Sequence, residues 1–275
     1  MLKLSLFGKI IVYFLLAVYC LIILVPFFIM IMNSLKSMRE IYLQPFSFPS
    51  KVLFENYSKA WQQAGIGTGY KNSLIVAGTS VIGIVIVSSM FAYAISKYTF
   101  RGRRFLFIYS MLGLAFPARL AIIPIFIMMR NFDLTNSLLG LIIIYTSINI
   151  PFSVFLLKNF IDGVPNELSE AARIDGASPM QIYWRVVLPL IKPALSIVSI
   201  VSFVNVWNDF FFPLIFITDR SKATITLAVS IFFGEYVNQW HLLFSGLTLA
   251  VAPTIILFLL FSRQFITGMT QGAIK

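Results

Sequence analysis

The sequence predicts an all-α membrane protein with six transmembrane helices, on three observations. Apolar residues gather in blocks of about 20, the helical length that crosses a hydrocarbon core of roughly 30 Å. Of the 275 residues 59% are hydrophobic and only 11% are charged, a balance far from that of a soluble domain. The charged residues flank the blocks, so the net charge of +11 reads as orientation in the bilayer. The basic residues form no continuous stripe, which argues against nucleic acid as a partner. Cys20, the only cysteine, lies in the first block and excludes an intrachain disulfide.

Lys3 and Lys9 precede an apolar run over residues 10–32, too long for a secretory signal peptide and so read as the first span with its N-terminus inside. Residues 33–70 are polar and carry Pro45, Pro49 and Trp61, which suits the longest external segment. Its end, Gly67-Thr68-Gly69-Tyr70-Lys71-Asn72-Ser73, fails as a phosphate loop because the lysine does not directly follow a glycine. The second span covers 72–96, with Gly78, Gly83, Ser88 and Ser89 permitting close helix approach. Lys97, Arg101, Arg103 and Arg104 mark the inner side. The third span, 105–129, carries Pro117, Pro124 and Arg119, and the fourth, 138–157, carries Pro151 as a kink. The fifth covers 191–217 and the sixth 240–262, joined by an external loop over 218–239. Residues 263–275 return to the inside, so both termini are expected in the cytoplasm.

Between the fourth and fifth spans, residues 158–190 have the composition of a cytoplasmic helix-turn-helix. Pro165 suits a first helical position, where its missing N–H costs nothing. Leu168, Ala171, Ala172 and Ile174 give the first helix an apolar side, and Gly176 supplies the left-handed turn after it. Ser178 and Gln181 form a capping box for the second helix, and Pro189 ends that helix.

Glu170-Ala171-Ala172, three residues, Gly176, nine residues, Val186, one residue, then Leu188-Pro189 is a long and specific spacing. It resembles the coupling-loop signature of ABC importer permeases, with Val186 in place of the usual isoleucine. The resemblance implies the type I importer permease fold and a helix that docks in a groove of a cytoplasmic ATPase. Glu170 takes the role of acidic contact and Gly176 of turn, with Ala171, Ala172 and Asp175 in the same docking segment. The C-terminal Gly268-Met269-Thr270-Gln271-Gly272 is similar to the tail of maltose-type permeases, which implies that Gly268, Thr270, Gln271 and Gly272 reach the ATPase interface. With Ser34-Leu35-Lys36 after the first span and Trp207-Asn208-Asp209-Phe210 in the fifth, the similarity extends over nearly the whole chain and points to carbohydrate importers. The implied partners are a second homologous permease, two ATPase subunits that carry ATP and magnesium, and an extracellular solute-binding protein. This chain is then expected to hold no cofactor and to catalyse nothing itself, in a bacterial-type plasma membrane. In maltose-type permeases the loop matching 218–239 helps displace solute from the binding protein, with Gly234 here as its turn.

The fifth span also carries a polar stripe: Ser196, Ser199, Ser202, Asn205, Asn208 and Asp209 recur at helical spacing. In hydrocarbon such a stripe faces protein or water. It either bonds neighbouring helices or lines the solute path, with Phe203 and Trp207 as nearby aromatics. Arg119 lies within the third span and needs a partner or a route to water. It either pairs with Asp209 or offers donors to the solute, an acidic sugar suiting it best. His241 has no second histidine or cysteine to make a metal site, and no nucleophile–base set is visible. A permease for amino acids, peptides or phosphate would keep the coupling segment, whereas a secondary transporter would leave it unexplained.

Overall fold

The computed structural model describes residues 5–234 and 238–273, with side chains described as far as Phe261. Regular structure among these residues is helical, apart from one isolated antiparallel bridge between Phe233 and Asn238. The helices are α1 (Leu6–Ser34), α2 (Met38–Leu43), α3 (Glu55–Gln63), α4 (Ile66–Lys97), α5 (Arg103–Ala115), α6 (Ile122–Asn131) and α7 (Leu138–Asp162). They continue as α8 (Asn166–Ile174), α9 (Pro179–Ile182), α10 (Leu188–Leu190), α11 (Lys192–Asn208), α12 (Phe211–Phe216), α13 (Ile225–Val229) and α14 (Trp240–Ala273).

Four of these, α1, α4, α7 and the Trp240–Phe261 part of α14, are long and apolar enough to cross a bilayer unbroken. The expected third and fifth spans are not single helices. The third is α5 and the stretch Ala118–Asn131 meeting at 87°, and the fifth region has Pro179–Leu190 and α11 meeting at 78°. The count is therefore four spans, or up to six if each bent pair crosses once. Pro117 causes the first break: it forces Phe116 out of the helical region, to φ −95° and ψ 116°. Asp209 ends α11 at ψ 134°, eight residues short of the expected end at 217, and α12 starts afresh beyond it. In the other direction α4 begins six residues before the expected 72, so the would-be phosphate loop is helical. Pro151, where a kink is expected, lies inside the continuous α7.

The described chain divides into two compact units. One comprises residues up to Gly67 together with Ala228–Ala252. In it α1 buries only Met32, Asn33 and Ser34 at its end. The Asn56 amide donates to the carbonyls of Ser34 and Lys36, both at 2.9 Å, and Ser245 Oγ donates to the Ser34 carbonyl at 3.1 Å. Those bonds satisfy carbonyls that the end of a helix leaves open.

The other unit comprises Thr68–Leu227 and the residues from Pro253 onward. Its core joins Ile84 and Ala92 of α4, Leu157 and Ile161 of α7, and Ile182 and Val198 of the later helices, all buried. The N-terminal end of α4 is tied down by side-chain bonds. Asn72 donates to the Ser221 and Ala223 carbonyls, each at 2.9 Å, and Ser73 Oγ accepts from the Ile225 N–H at 2.9 Å. Glycines permit two close approaches in this unit. A Cβ at Gly113 would lie 2.7 Å from Pro151 Cγ, and one at Gly140 would collide with the Leu134 carbonyl oxygen. Gly83 approaches Thr146, as its spacing suggested, but Gly78 faces open space and makes no close contact.

These surroundings give one substitution opposite signs at two sites. Gly140→Ala is expected to destabilise by about 1–3 kcal/mol, because backbone must move to admit the methyl. Gly78→Ala is expected to stabilise by about 0.5–1 kcal/mol, because alanine favours the helix and meets nothing. Thermal unfolding of the two purified variants in detergent checks this. Equal shifts would show that the start of α7 is not packed as described.

Candidate functional site

Two places gather the residues singled out by sequence. The first is the helix-turn-helix over 165–190. Pro165 is the N-cap of α8 rather than its first residue. Lys97 fixes this entry, its Nζ donating to the Val164 carbonyl at 2.6 Å and to Asn166 Oδ1 at 2.8 Å. The exit from α8 is a Schellman turn: Gly176 stands at φ +81°, the Ala177 N–H reaches the Ala172 carbonyl at 2.9 Å, and the Gly176 N–H reaches Arg173 at 3.1 Å. Ser178 and Gln181 then make both bonds of the capping box.

Beyond α9 the helix widens into a π-turn over Tyr183–Val187 before α10. Pro189 accounts for it, since its ring would clash with the carbonyl four residues back in a regular helix. The helix ends at Leu190, one residue past that proline. Tyr183 shares a hydrogen bond with Ser89 Oγ at 2.7 Å, and Tyr93 donates to the Pro179 carbonyl at 3.2 Å. Both bonds moor the segment to α4.

The apolar side expected for α8 is not the packed one. Ser169 is buried and Ala172 packs on the core, while Leu168, Ala171 and Ile174 face outward. Small side chains let the α8 backbone lie close on the core, and the large ones are left outside. Ile174 is 87% exposed, beside exposed Glu170 and Asp175. The outward face of α8 thus sets a large apolar side chain beside two acids, on a helix fixed at both ends.

The second place is a cleft of about 490 Å³ in the unit that contains α5–α12. Phe116, Pro117 and Arg119 from the first helix break line it, and so does Asp209 from the second. Asn149 and Asn205 contribute amides. Asp209 organises the cleft. One carboxylate oxygen accepts from the Tyr145 hydroxyl at 2.8 Å and from the Phe212 N–H at 3.0 Å, and the other pairs with Arg119 at 3.3 Å. The Arg119 guanidinium also lies over the Phe211 ring, 5.3 Å from its centroid. The acid is enclosed and the base is not: the side chains are 10% and 69% exposed. Arg119 therefore keeps donors free toward the cleft after pairing.

The polar stripe of α11 does not act as one surface. Asn205 and Asp209 belong to the cleft, while Ser196 and Ser199 line a separate cavity of about 350 Å³ with Gly78, Lys192 and Phe203. Those two hydroxyls donate back to the Lys192 and Leu195 carbonyls, at 3.1 and 2.8 Å. Ser202 is buried, and its hydroxyl has no hydrogen-bond partner among the described residues. Asn208 accepts from Thr254 at 3.3 Å. Trp207 is buried and stacked on Phe203 at 5.6 Å.

Tyr145, Asn149 and Phe211 were not found by sequence reasoning. An asparagine two residues before a mid-span proline was the one available signal. Gly268, Thr270, Gln271 and Gly272 lie where α14 continues, but their side chains fall outside the described residues. In the loop over 218–239, Asn136 Oδ1 accepts the Thr218 and Asp219 N–H groups at 3.2 and 3.0 Å. Gly234 is described and residues 235–237 are not.

Residues 84–271 match the family model described as binding-protein-dependent transport system inner membrane component. Two relatives share most of their length with this chain. The diacetylchitobiose uptake system permease protein NgcG of Streptomyces coelicolor is 34% identical over 263 residues, 95% of this chain and 87% of its own. The melibiose/raffinose/stachyose import permease protein MelC of Bacillus subtilis is 34% identical over 252 residues, 91% of each chain. In fold the chain is similar to a solved bacterial ABC transporter involved in import of the acidic polysaccharide alginate. There the TM-score is 0.84 at 23% identity, over 96% of this chain and 99% of that one. With a family match over most of its length and relatives aligned nearly end to end, the chain belongs to the inner membrane components of binding-protein-dependent transport systems.

Proposed function

We propose that this chain is the permease subunit of an ABC importer that moves a sugar or oligosaccharide inward by alternating access. The relatives named for oligosaccharide uptake support the solute class. ATP and magnesium then belong to two ATPase subunits on partner chains, and a second permease and an extracellular binding protein complete the assembly. Both termini lie in the cytoplasm in this reading, beside the coupling loop. The single observation that carries it is α8, held by Lys97 at its entry and by a Schellman turn at its exit, with Glu170 and Ile174 turned outward. The tail from Gly268 serves as a second ATPase contact.

The solute passes the 490 Å³ cleft. Two helix breaks open into it, and unpaired backbone inside a bilayer is tolerated only against protein or water. Of the α11 stripe only Asn205 and Asp209 are assigned to this route, since Ser199 lines the separate cavity, Ser202 is buried and Asn208 bonds Thr254. Asp209 already neutralises Arg119, so a carboxylate arriving in the cleft would be offered little net charge. The cleft suits a neutral glycosyl unit better than the acidic sugar that Arg119 alone would favour. Free guanidinium N–H groups, two amides and the Phe116 ring supply the hydrogen bonds and the apolar face that sugars use.

Docking is tested by Ile174→Asp and Glu170→Lys. Each is expected to leave membrane insertion unchanged and to weaken ATPase association roughly 30-fold or more, the loss typical when a central contact of at least about 2 kcal/mol is removed. Copurification of ATPase with the tagged permease measures it, and full association in both variants would remove α8 from the interface.

The cleft is tested by Arg119→Gln, which keeps length and polarity while removing the charge. Transport is expected to fall about tenfold with assembly intact, the loss of one charge-assisted hydrogen bond to solute. If Arg119→Gln combined with Asp209→Asn restores wild-type transport, the pair is structural only and Arg119 does not read the solute.

A further inference from the structure

After leaving α1 the chain buries a lysine. Lys36 is 0% exposed, and its Nζ donates to the carbonyls of Gln44 at 2.9 Å and Pro45 at 3.3 Å. Burial lowers its pKa from the ordinary lysine value. The segment it grips turns its apolar side chains outward: Tyr42, Leu43, Phe46, Phe48 and Phe54 are all exposed. A cluster of that size on a short loop is a contact surface.

The depth of the loop follows from Phe48. Its ring meets Phe28 of α1 edge-on, with centroids 6.1 Å apart. Phe28 is eighteen residues beyond Ile10, where the apolar run starts, which at 1.5 Å per residue is about 27 Å along the helix. A hydrocarbon core is roughly 30 Å thick, so Phe28 lies just inside its far edge. Phe48 is at the same level, 74% exposed. The chain therefore passes the end of α1 at Ser34 and turns back beside the same helix.

Returning costs unsatisfied backbone groups unless they are met within the segment. Here they are met. Lys36 holds two carbonyls, the Ser47 N–H reaches the Gln44 carbonyl, the Ser50 N–H reaches Glu40 Oε1 at 2.7 Å, and the Leu53 N–H reaches Leu35 at 2.9 Å. Pro45 and Pro49 have no N–H to satisfy. Exposed Arg39 and Lys51 flank the aromatics, placed for lipid phosphates.

We propose that residues 42–54 form an interfacial anchor whose aromatic side chains insert into the phospholipid leaflet at the C-terminal end of α1. The leaflet is the outer one in the topology given above, but the anchor stands on α1 alone and does not depend on what the permease transports.

Cys20→Ser gives a chain without cysteine, into which Phe46→Cys or Phe48→Cys introduces one nitroxide label. Phe46 stands clear of the Phe28 contact, so its variant leaves the loop's own packing intact. The labelled full chain, purified with the subunits that copurify, is reconstituted in phosphatidylcholine–phosphatidylglycerol vesicles. Collisions with oxygen, which enters acyl chains, are compared with collisions with a water-soluble nickel chelate. Oxygen is expected to exceed nickel at both positions, and the reverse at a Lys59→Cys control. An immobilised label shielded from both reagents would mean that a protein surface covers the patch, and nickel in excess would mean water. Either result overturns the anchor.

Discussion

One carboxylate joins four segments of the larger unit. Asp209 takes a proton donor from the turn before α6, another from α7 and a third from the first turn of α12, while its own carbonyl accepts from Thr226 at 2.7 Å. A carboxylate with this little access to water survives only when its charge and its lone pairs are both met. Three donors do that, and in return the acid ties the turn that follows the first helix break to α7 and to the start of α12. Without it the Phe212 N–H at the start of α12 would be left open in an apolar setting, at several kcal/mol on a typical scale. The cleft is the space left by meeting that requirement.

The helix-turn-helix over 165–190 follows the same logic away from the cleft. Its bonds run to α4, through Ser89, Tyr93 and Lys97, and its apolar side chains share a core with α7 and α11. Close-packed interiors transmit displacement rather than absorb it. A push on α8 is thus felt by three helices of the unit at once. In the proposed importer this is how ATPase closure and solute release bias one shared equilibrium.

Much of this was legible in residues alone, for identifiable reasons. The four unbroken spans were visible because hydropathy is a sum over many residues, and their length is set by the bilayer. Gly176 and the Ser178–Gln181 box were visible because both rest on contacts a few residues apart. The breaks were not. Phe116 and Phe210 to Phe216 are as apolar as the helices around them, so hydropathy runs straight across each interruption. The proline that broke the third span and the proline that left α7 continuous look alike in sequence. The outward face of α8 was misread because burial there follows small size, not apolar character. The pairing of Arg119 with Asp209 was one of two readings that charge in a membrane allowed. Tyr145 gave no signal, since a tyrosine in a span reads as packing until its hydroxyl is seen on an acid.

The π-turn at Tyr183–Val187 carries a consequence for chain length. A wide turn holds one residue more than the regular helix would, and each residue of a helix turns the chain by about 100°. Removing a single residue there would close the helix only by driving the Pro189 ring against the carbonyl four residues back. It would also swing Gly176 and α8 about a quarter-turn around the helix axis, carrying Glu170 and Ile174 with them. The distance in sequence from Gly176 to Pro189 therefore behaves like the tooth count of a gear. It sets the angle at which α8 presents its outward face, and Pro189 holds that value in place.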